Sequence, residues 1–152
     1  MAKIITSYPV EITIDEDVFH VVVSDLDSTQ REEMDKRAVA LEAVTADIRK
    51  AASLDEDIAT NKELIGCVGL IEKAKLLWEN KELKKEAEIL QKSIETANPD
   101  KMFTDSLMRR LELTISGEDK VKLMATIKSK TINPQSIIAA IGEQIAEIKK
   151  KK

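Results

Sequence analysis

VEITIDEDVFHVVVSD, residues 10–25, consists of two apolar stretches separated by three acids at 15–17. The first stretch alternates apolar and polar residues, which is typical of a strand with one buried face. The second, Val18–Val23, is apolar at almost every position, so a strand there would carry apolar residues on both faces. We therefore predict a β-hairpin over 8–24, with Asp17 in the left-handed conformation at its turn. Either a further strand or a partner is expected to cover the surplus apolar row.

The bulk composition indicates one soluble domain spanning residues 1–152. The chain is 43% apolar and 34% charged, which is too apolar for a disordered protein and too charged for a membrane protein. A single cysteine cannot form an internal disulfide, and the N-terminal residues lack the apolar core of a signal peptide. We therefore expect a cytoplasmic location and no membrane association.

Helical periodicity dominates the rest of the chain, which indicates a mainly α protein of α+β type with about five helices. An apolar stripe behind paired capping candidates predicts a helix over 28–53. A charged joint follows, and a long helix is predicted over 61–97, either continuous or broken near residues 79–80. Asn133 followed by Pro134 is typical of a helix start and predicts a last helix over 134–150.

The segment 104–130 admits two interpretations. Its apolar residues alternate on both sides of a Ser-Gly-Glu-Asp sequence, which is compatible with a second hairpin over 111–127. The same residues also fit two helices separated by a capping box at Ser116–Asp119. We favour the helices, because Met108, Leu111 and Ile115 are at helical spacing and Gly117 suits a helix end.

No residue pattern indicates catalysis, a metal or a cofactor. Gly66 and Gly69 form a Gly-x-x-Gly sequence similar to a backbone-clamping RNA loop, but its apolar surroundings favour close helix packing or a bend. His20 and Cys67 could in principle form a nucleophile pair, although no third orienting group accompanies them. A strand histidine held by a hydrogen bond is the simpler interpretation, and we predict neither enzyme activity nor a small-molecule substrate.

Charge is unevenly distributed along the chain. Residues 11–63 carry 15 acids and 6 bases, whereas residues 64–152 carry 13 acids and 17 bases. Such an asymmetry favours head-to-tail packing or a basic partner for the acidic part. The lysines at 149–152 suit the C-terminal end of a helix dipole, and the scarcity of aromatic residues does not favour nucleic-acid binding.

Protein binding or self-association is the function that remains. Trp78 interrupts a Leu-Leu-Trp sequence that is wider than one helix stripe, so one of these side chains must point away from the main seam. Trp78 therefore fits either a core between two helices or an interface. Leu83 and Leu90 lie on a heptad seam through Leu76 and Ala97, which is typical of a coiled coil or helical hairpin. An adaptor or inhibitor acting through this helix is one functional hypothesis.

The N-terminal arrangement resembles small phage tail assembly chaperones and related tail accessory proteins. The residues that carry the resemblance are Val10–Ile14, Asp15–Asp17, Val18–Val23, the sequence Leu26-Asp27-Ser28-Thr29, and the pair Glu32-Glu33. The resemblance implies a mostly helical, acidic, non-enzymatic protein that binds other tail proteins during assembly. It also implies a partner or self-association surface at the second strand, which we assign to Val18, Phe19, Val21 and Val22.

Overall fold

The computed structural model describes residues 7–151 of the chain. These residues form, in order, β1 (Ser7–Ile14), β2 (Asp17–Ser24), α1 (Ser28–Ile65), α2 (Leu70–Ala97), α3 (Pro99–Thr114), β3 (Ile115–Ser116), α4 (Lys120–Ser129) and α5 (Pro134–Lys150). The predicted class, mainly α with an N-terminal hairpin, is confirmed. Residues 1–6, on which the signal-peptide argument partly rests, and Lys152 of the terminal lysine run lie outside the described residues.

The described residues fall into two compact units. The sheet unit comprises residues 7–37 and 103–151, so it is built from both ends of the chain. The two-helix unit comprises residues 38–102, which contain the rest of α1, all of α2 and the start of α3.

The predicted hairpin is present, but its turn differs from the prediction. The connection has two residues, Asp15 and Glu16, and Asp17 is already paired with Ile14 as the first residue of β2. The left-handed residue is Asp15, with φ 56°, rather than Asp17. Aspartate tolerates this conformation better than most residues. The Asp15 carboxylate also accepts a hydrogen bond from the ammonium of Lys130, which ties the turn to the end of α4.

The core of the sheet unit lies between the inner face of the sheet and helices α3, α4 and α5. Every second residue of β1 and β2 contributes to it, as the strand periodicity requires. Its buried members are Val10, Ile12, Ile14, Phe19, Val21, Val23, Leu111, Ile115, Leu123, Ile127, Ile137 and Ile141. Within the sheet unit, the helices therefore cover one face of the sheet.

The segment 104–130 is helical, as favoured, and the second hairpin is absent from the described residues. The helix nevertheless starts earlier than predicted, at Pro99, because Asn98 ends α2 in a left-handed conformation and proline suits a first helical position. Only Ile115 and Ser116 form a strand, β3, which pairs antiparallel with Val22 and Val23 of β2.

The predicted end of the first helix at residue 53 is wrong. α1 continues to Ile65, because Leu54, Ile58 and Asn61 are spaced at three and four residues and are all buried on one side of the helix. The charged residues that suggested a joint lie on its exposed side. The Thr60 hydroxyl donates a hydrogen bond to the carbonyl of Glu56 within α1, so it does not cap a new helix at residue 61.

The long helix predicted over 61–97 is interrupted, but at residues 66–69 rather than at 79–80. Gly66 and Gly69 lie in this turn, which agrees with the bend that was one of their two expected roles. Close helix packing was the other, and it is wrong for Gly69, because no atom lies within 4 Å of a Cβ built there. Asn80 does not disturb α2, since its amide is hydrogen-bonded within the two-helix unit.

Two predicted helix starts are confirmed in atomic detail. Asp27 and Gln30 form a reciprocal capping box at α1, with backbone-to-side-chain distances of 2.8 and 3.0 Å. Asn133 caps α5 by accepting a hydrogen bond from the amide of Gln135 at 3.0 Å, and α5 spans 134–150 as predicted. The capping box proposed at Ser116–Asp119 is wrong, because the Asp119 carboxylate binds β2 instead.

Candidate interaction surfaces

The two-helix unit is an antiparallel helical hairpin. Lys50 of α1 forms a salt bridge with Glu86 of α2 at 3.0 Å, and Asn61, further along α1, bonds to Asn80, earlier in α2. Later residues of one helix thus meet earlier residues of the other. The four-residue turn at 66–69 makes this reversal possible, since short connections join antiparallel helices.

The seam between these helices follows the heptad spacing read from the sequence. Leu83 and Leu90 are half-buried on it, and so they contribute to the hairpin itself rather than to an open interface. The adaptor hypothesis would also use Leu83 and Leu90 as partner-interface residues, and the seam leaves each of them only part of its surface for a partner. The remaining α2 positions of the seam, each half-buried or buried, are Leu76, Asn80, Ala87, Ile94 and Ala97.

A buried amide pair interrupts this apolar seam. The Asn61 amide nitrogen donates to the Asn80 oxygen at 2.9 Å, and the Asn80 nitrogen donates to the carbonyl oxygen of Ile58 at 3.3 Å. Asn80 is 5% exposed, so the pair is shielded from water. A buried asparagine at a seam position favours one register over others, because any shift would leave its amide without a partner.

The first turns of α2 expose an apolar surface that we name the tip stripe: Leu70, Ile71, Ala74, Leu77 and Trp78. Leu70 is 85% exposed, Ile71 75%, Leu77 53% and Trp78 65%. At 100° per residue these positions fall within an arc of about 120°, centred roughly 150° away from the seam. The tip stripe therefore points away from α1. The interpretation of Trp78 as a core residue is wrong, and its interface role stays a prediction.

Lysines surround the tip stripe. Lys73 and Lys75 lie on its two sides, and Lys81, Lys84 and Lys85 continue the same face along α2. The Lys81 ammonium lies 5.9 Å from the centre of the Trp78 ring, within cation–π range. Glu82 is the one carboxylate on this face before residue 88, and Lys85 lies 3.8 Å from it. The surface is thus apolar at its centre and basic at its border.

The predicted β2 surface divides between the two faces of the sheet. Phe19 and Val21 are 6% and 3% exposed in the core of the sheet unit, so their assignment to an accessible interface is wrong. Strand alternation places Val18 and Val22 on the opposite face, where they are 44% and 37% exposed. This outer face is the surplus apolar row of the sequence, and β3 covers its edge but not its surface.

Side chains from the second half of the chain close both edges of the sheet. Gln144 of α5 accepts a hydrogen bond from the Glu11 amide at 3.0 Å and donates one to the Glu11 carbonyl, so its amide acts as a strand segment beside β1. At the opposite edge, a carboxylate oxygen of Asp119 accepts a hydrogen bond from the backbone amide of His20, with 2.8 Å between the two atoms. These contacts occupy backbone groups that an added strand would need.

Two ion-pair clusters connect elements of the sheet unit. The guanidinium of Arg109 bonds to Glu33 at 3.0 Å and Glu112 at 3.4 Å, and the hydrogen bond to Glu33 raises the pKa of Arg109. A groove of about 490 Å³ is lined in part by Arg109 and Glu112, whose charges are thus already paired. The hydrogen bond from Lys130 to Asp15 likewise raises the pKa of Lys130.

His20 and Cys67 lie in different units, His20 exposed in β2 and Cys67 exposed in the turn of the helical hairpin. Among residues 7–151, no group of three or more His, Cys, Asp or Glu side chains is arranged to hold a metal ion. In the same range, no helix has both the length and the apolar character needed to cross a bilayer.

The sequence matches no protein-family model, and it has no significant match among curated proteins or solved structures. The fold and its surfaces define the chain as an α+β protein with an exposed apolar surface on a helical hairpin. Sequence reasoning found Trp78 on this surface but missed Leu70 and Ile71. The sequence signal for Leu70 and Ile71 is the same as for Trp78: adjacent apolar residues of α2 cannot all lie on one heptad seam.

Proposed function

We propose that this chain is a non-catalytic protein-binding protein that uses the tip stripe as its binding surface. The observation that carries the proposal is the exposure of four large apolar side chains, each more than half accessible, on one helix face. Contiguous apolar surface of this kind on a folded protein marks an interaction site more often than chance exposure does.

The energetics support such a role. Full burial of one large apolar side chain is worth about 1.5–3 kcal/mol, so leaving four of them in water forgoes a large favourable term. The seam of the helical hairpin does not need them, since Leu54, Ile58 and the amide pair occupy its interior. Tryptophan is also enriched among the residues that dominate binding energies, and Trp78 lies within the stripe.

A photo-crosslinking amino acid at position 71 tests the proposal in the cells that encode the chain. We expect one defined protein adduct, and reconstitution with that purified protein should give saturable binding. Trp78→Ala should then weaken the complex about tenfold or more, as expected for a loss of 1.4 kcal/mol or more. Val121→Ala is the matched control, because Val121 is 78% exposed on α4 of the sheet unit. Equal binding by both variants would contradict the proposal.

The outer face of the sheet carries a second candidate function. Val18 and Val22 are exposed there, on the second strand of the N-terminal arrangement that resembles phage tail assembly chaperones. We propose that, in a tail-assembly role, these two residues form the contact to a tail protein. In a tail-assembly assay, a Val18→Ser/Val22→Ser double variant should then abolish the formation of tails, while Trp78→Ala should leave tail formation unchanged. The opposite dependence would favour the tip stripe.

A further inference from the structure

Resting on the proposed function, we infer that the partner of the tip stripe is an amphipathic α-helix whose apolar face is bordered by carboxylates. The inference joins the composition of the stripe to the charges that surround it. It concerns the chemistry of the partner at the same surface.

The border of the tip stripe determines the charge of the partner. Five lysines and one glutamate lie within about 100° of the centre of the stripe between residues 70 and 87. The glutamates Glu72, Glu79 and Glu86 lie further round the helix. Opposite charges at an interface rim steer association and exclude wrong partners, so carboxylates on the incoming surface are favoured.

The backbone of α2 determines the secondary structure of the partner. From Lys73 onward the amides of α2 donate within the helix, and the free amides of residues 70–72 point along the helix axis at its N-terminus. The face of the tip stripe therefore offers no row of backbone groups to an extended chain. A strand docked here would bury its own polar backbone unpaired on one side. A helix satisfies its backbone internally, and its apolar stripe matches the width of this one. The stripe spans nine residues, roughly 13 Å, which suits contact with two to three turns.

The same charges count against two other occupants. Two copies joined stripe to stripe would bring their lysine borders together, and such like charges at an interface repel. An anionic lipid surface laid along α2 would attract the lysines, but beyond residue 87 this face carries Glu88 and Glu95 against Lys92 alone, and two carboxylates would be held against the lipid. An acidic helix can end before it reaches them.

The test uses the full-length protein with an environment-sensitive dye on Cys67. This cysteine is the only one in the sequence and is exposed in the turn beside the tip stripe, so labelling needs no substitution. The probes are two synthetic amphipathic helical peptides with the same leucine stripe, one bordered by glutamate and the other by lysine. We expect the glutamate peptide to bind at least about tenfold more tightly at low salt, with a preference that shrinks as salt is added. A Lys81→Glu/Lys85→Glu variant should reverse the preference.

The outcomes separate this inference from the proposed function. Equal affinity for the two peptides would overturn the acidic border and leave the apolar contact intact. Binding of neither peptide, with a defined adduct still formed at position 71, would overturn the helical partner alone. Stronger binding to phosphatidylglycerol vesicles than to the peptide, or a mass that doubles with concentration, would overturn the inference in favour of lipid or a second copy. Peptide binding that survives Ile71→Ser/Trp78→Ala would show that the peptide binds outside the tip stripe, which would also overturn the inference.

Discussion

In the sheet unit, twelve apolar side chains from three strands and three helices are buried together, whereas the two-helix unit buries only two apolar side chains, Leu54 and Ile58. The treatment of spare groups differs as well. The sheet unit closes its open backbone edges with Gln144 and Asp119. The two-helix unit leaves its spare apolar side chains in water. A wide apolar core can stabilise a fold alone. A thin seam needs a specific polar contact to fix its register, and it leaves apolar side chains exposed that a partner can bind.

The largest effect that tests this contrast should come from the centre of the wide core. Leu123 is completely buried on α4, so Leu123→Ala removes apolar contacts and leaves a cavity. We expect a loss of about 3 kcal/mol in the free energy of unfolding, within the usual range for such truncations. Urea denaturation monitored by circular dichroism measures it, with hydrogen exchange to show that the sheet unit opens.

Val121→Ala provides the control for this experiment. Val121 lies two residues away on the same helix and is 78% exposed, so its truncation should change stability by less than about 0.5 kcal/mol. Comparable losses in the two variants would show that Leu123 is not packed at the centre of the core.

The next effect concerns the amide pair of the thin seam. Asn80→Leu leaves the buried Asn61 amide without its side-chain partner, and we expect a cost of roughly 1–3 kcal/mol. Asn61→Leu/Asn80→Leu removes both polar groups. Its free energy of unfolding should return to that of the native chain or rise above it. Register should be lost at the same time, because no buried polar contact then distinguishes one alignment from the next.

A zero-length crosslink reports on this register. Lys50 and Glu86 lie 3.0 Å apart, so a carbodiimide should join them in the native chain. In the double leucine variant we expect this crosslink to weaken and crosslinks one turn away to appear. A double variant that is destabilised and keeps the single crosslink would show that the amide pair stabilises the seam without setting its register.

The outline of the fold was predictable where the signal is local. The hairpin over 8–24, the capping box at Asp27 and the helix over 134–150 each follow from residues close together in sequence. The length of α1 was not predictable from local signals, because the acids at 55–57 indicate a break between two helices. Leu54 and Ile58 keep the helix going by packing against α2, which is a contact between distant parts of the sequence.

The candidate surface was predictable only in part, for a related reason. Trp78 stood out because three apolar residues in a row exceed one stripe. The strand periodicity of Val18–Val23 identified two faces, but only the position of helices α3 to α5 decides which face is buried. The pattern alone therefore favours a partner over Phe19 and Val21, whereas the chain itself covers them. Such decisions depend on tertiary packing, which a local pattern does not contain.

Two glycines should respond in opposite directions to the same change. Gly117 connects β3 to α4 with φ 113°, so Gly117→Ala forces an alanine into a conformation that costs roughly 1–3 kcal/mol. Gly142 lies within α5 with no atom within 4 Å of a built Cβ, and Gly142→Ala should stabilise the protein by about 0.5–1 kcal/mol. Thermal denaturation of the two variants measures both. A stabilised Gly117→Ala variant would show that this turn can relax.

The smallest effect should come from the edge of the sheet. Gln144→Ala removes both contacts to the Glu11 backbone, and because this edge is exposed, water replaces them. We expect less than about 1 kcal/mol in global stability, together with faster hydrogen exchange at the Glu11 amide, up to about tenfold. Gln135→Ala, an exposed glutamine on the same helix, should change neither. An unchanged exchange rate in Gln144→Ala would mean that the side chain does not protect this edge, and the contrast between a closed sheet and an open helical tip would then rest on the core alone.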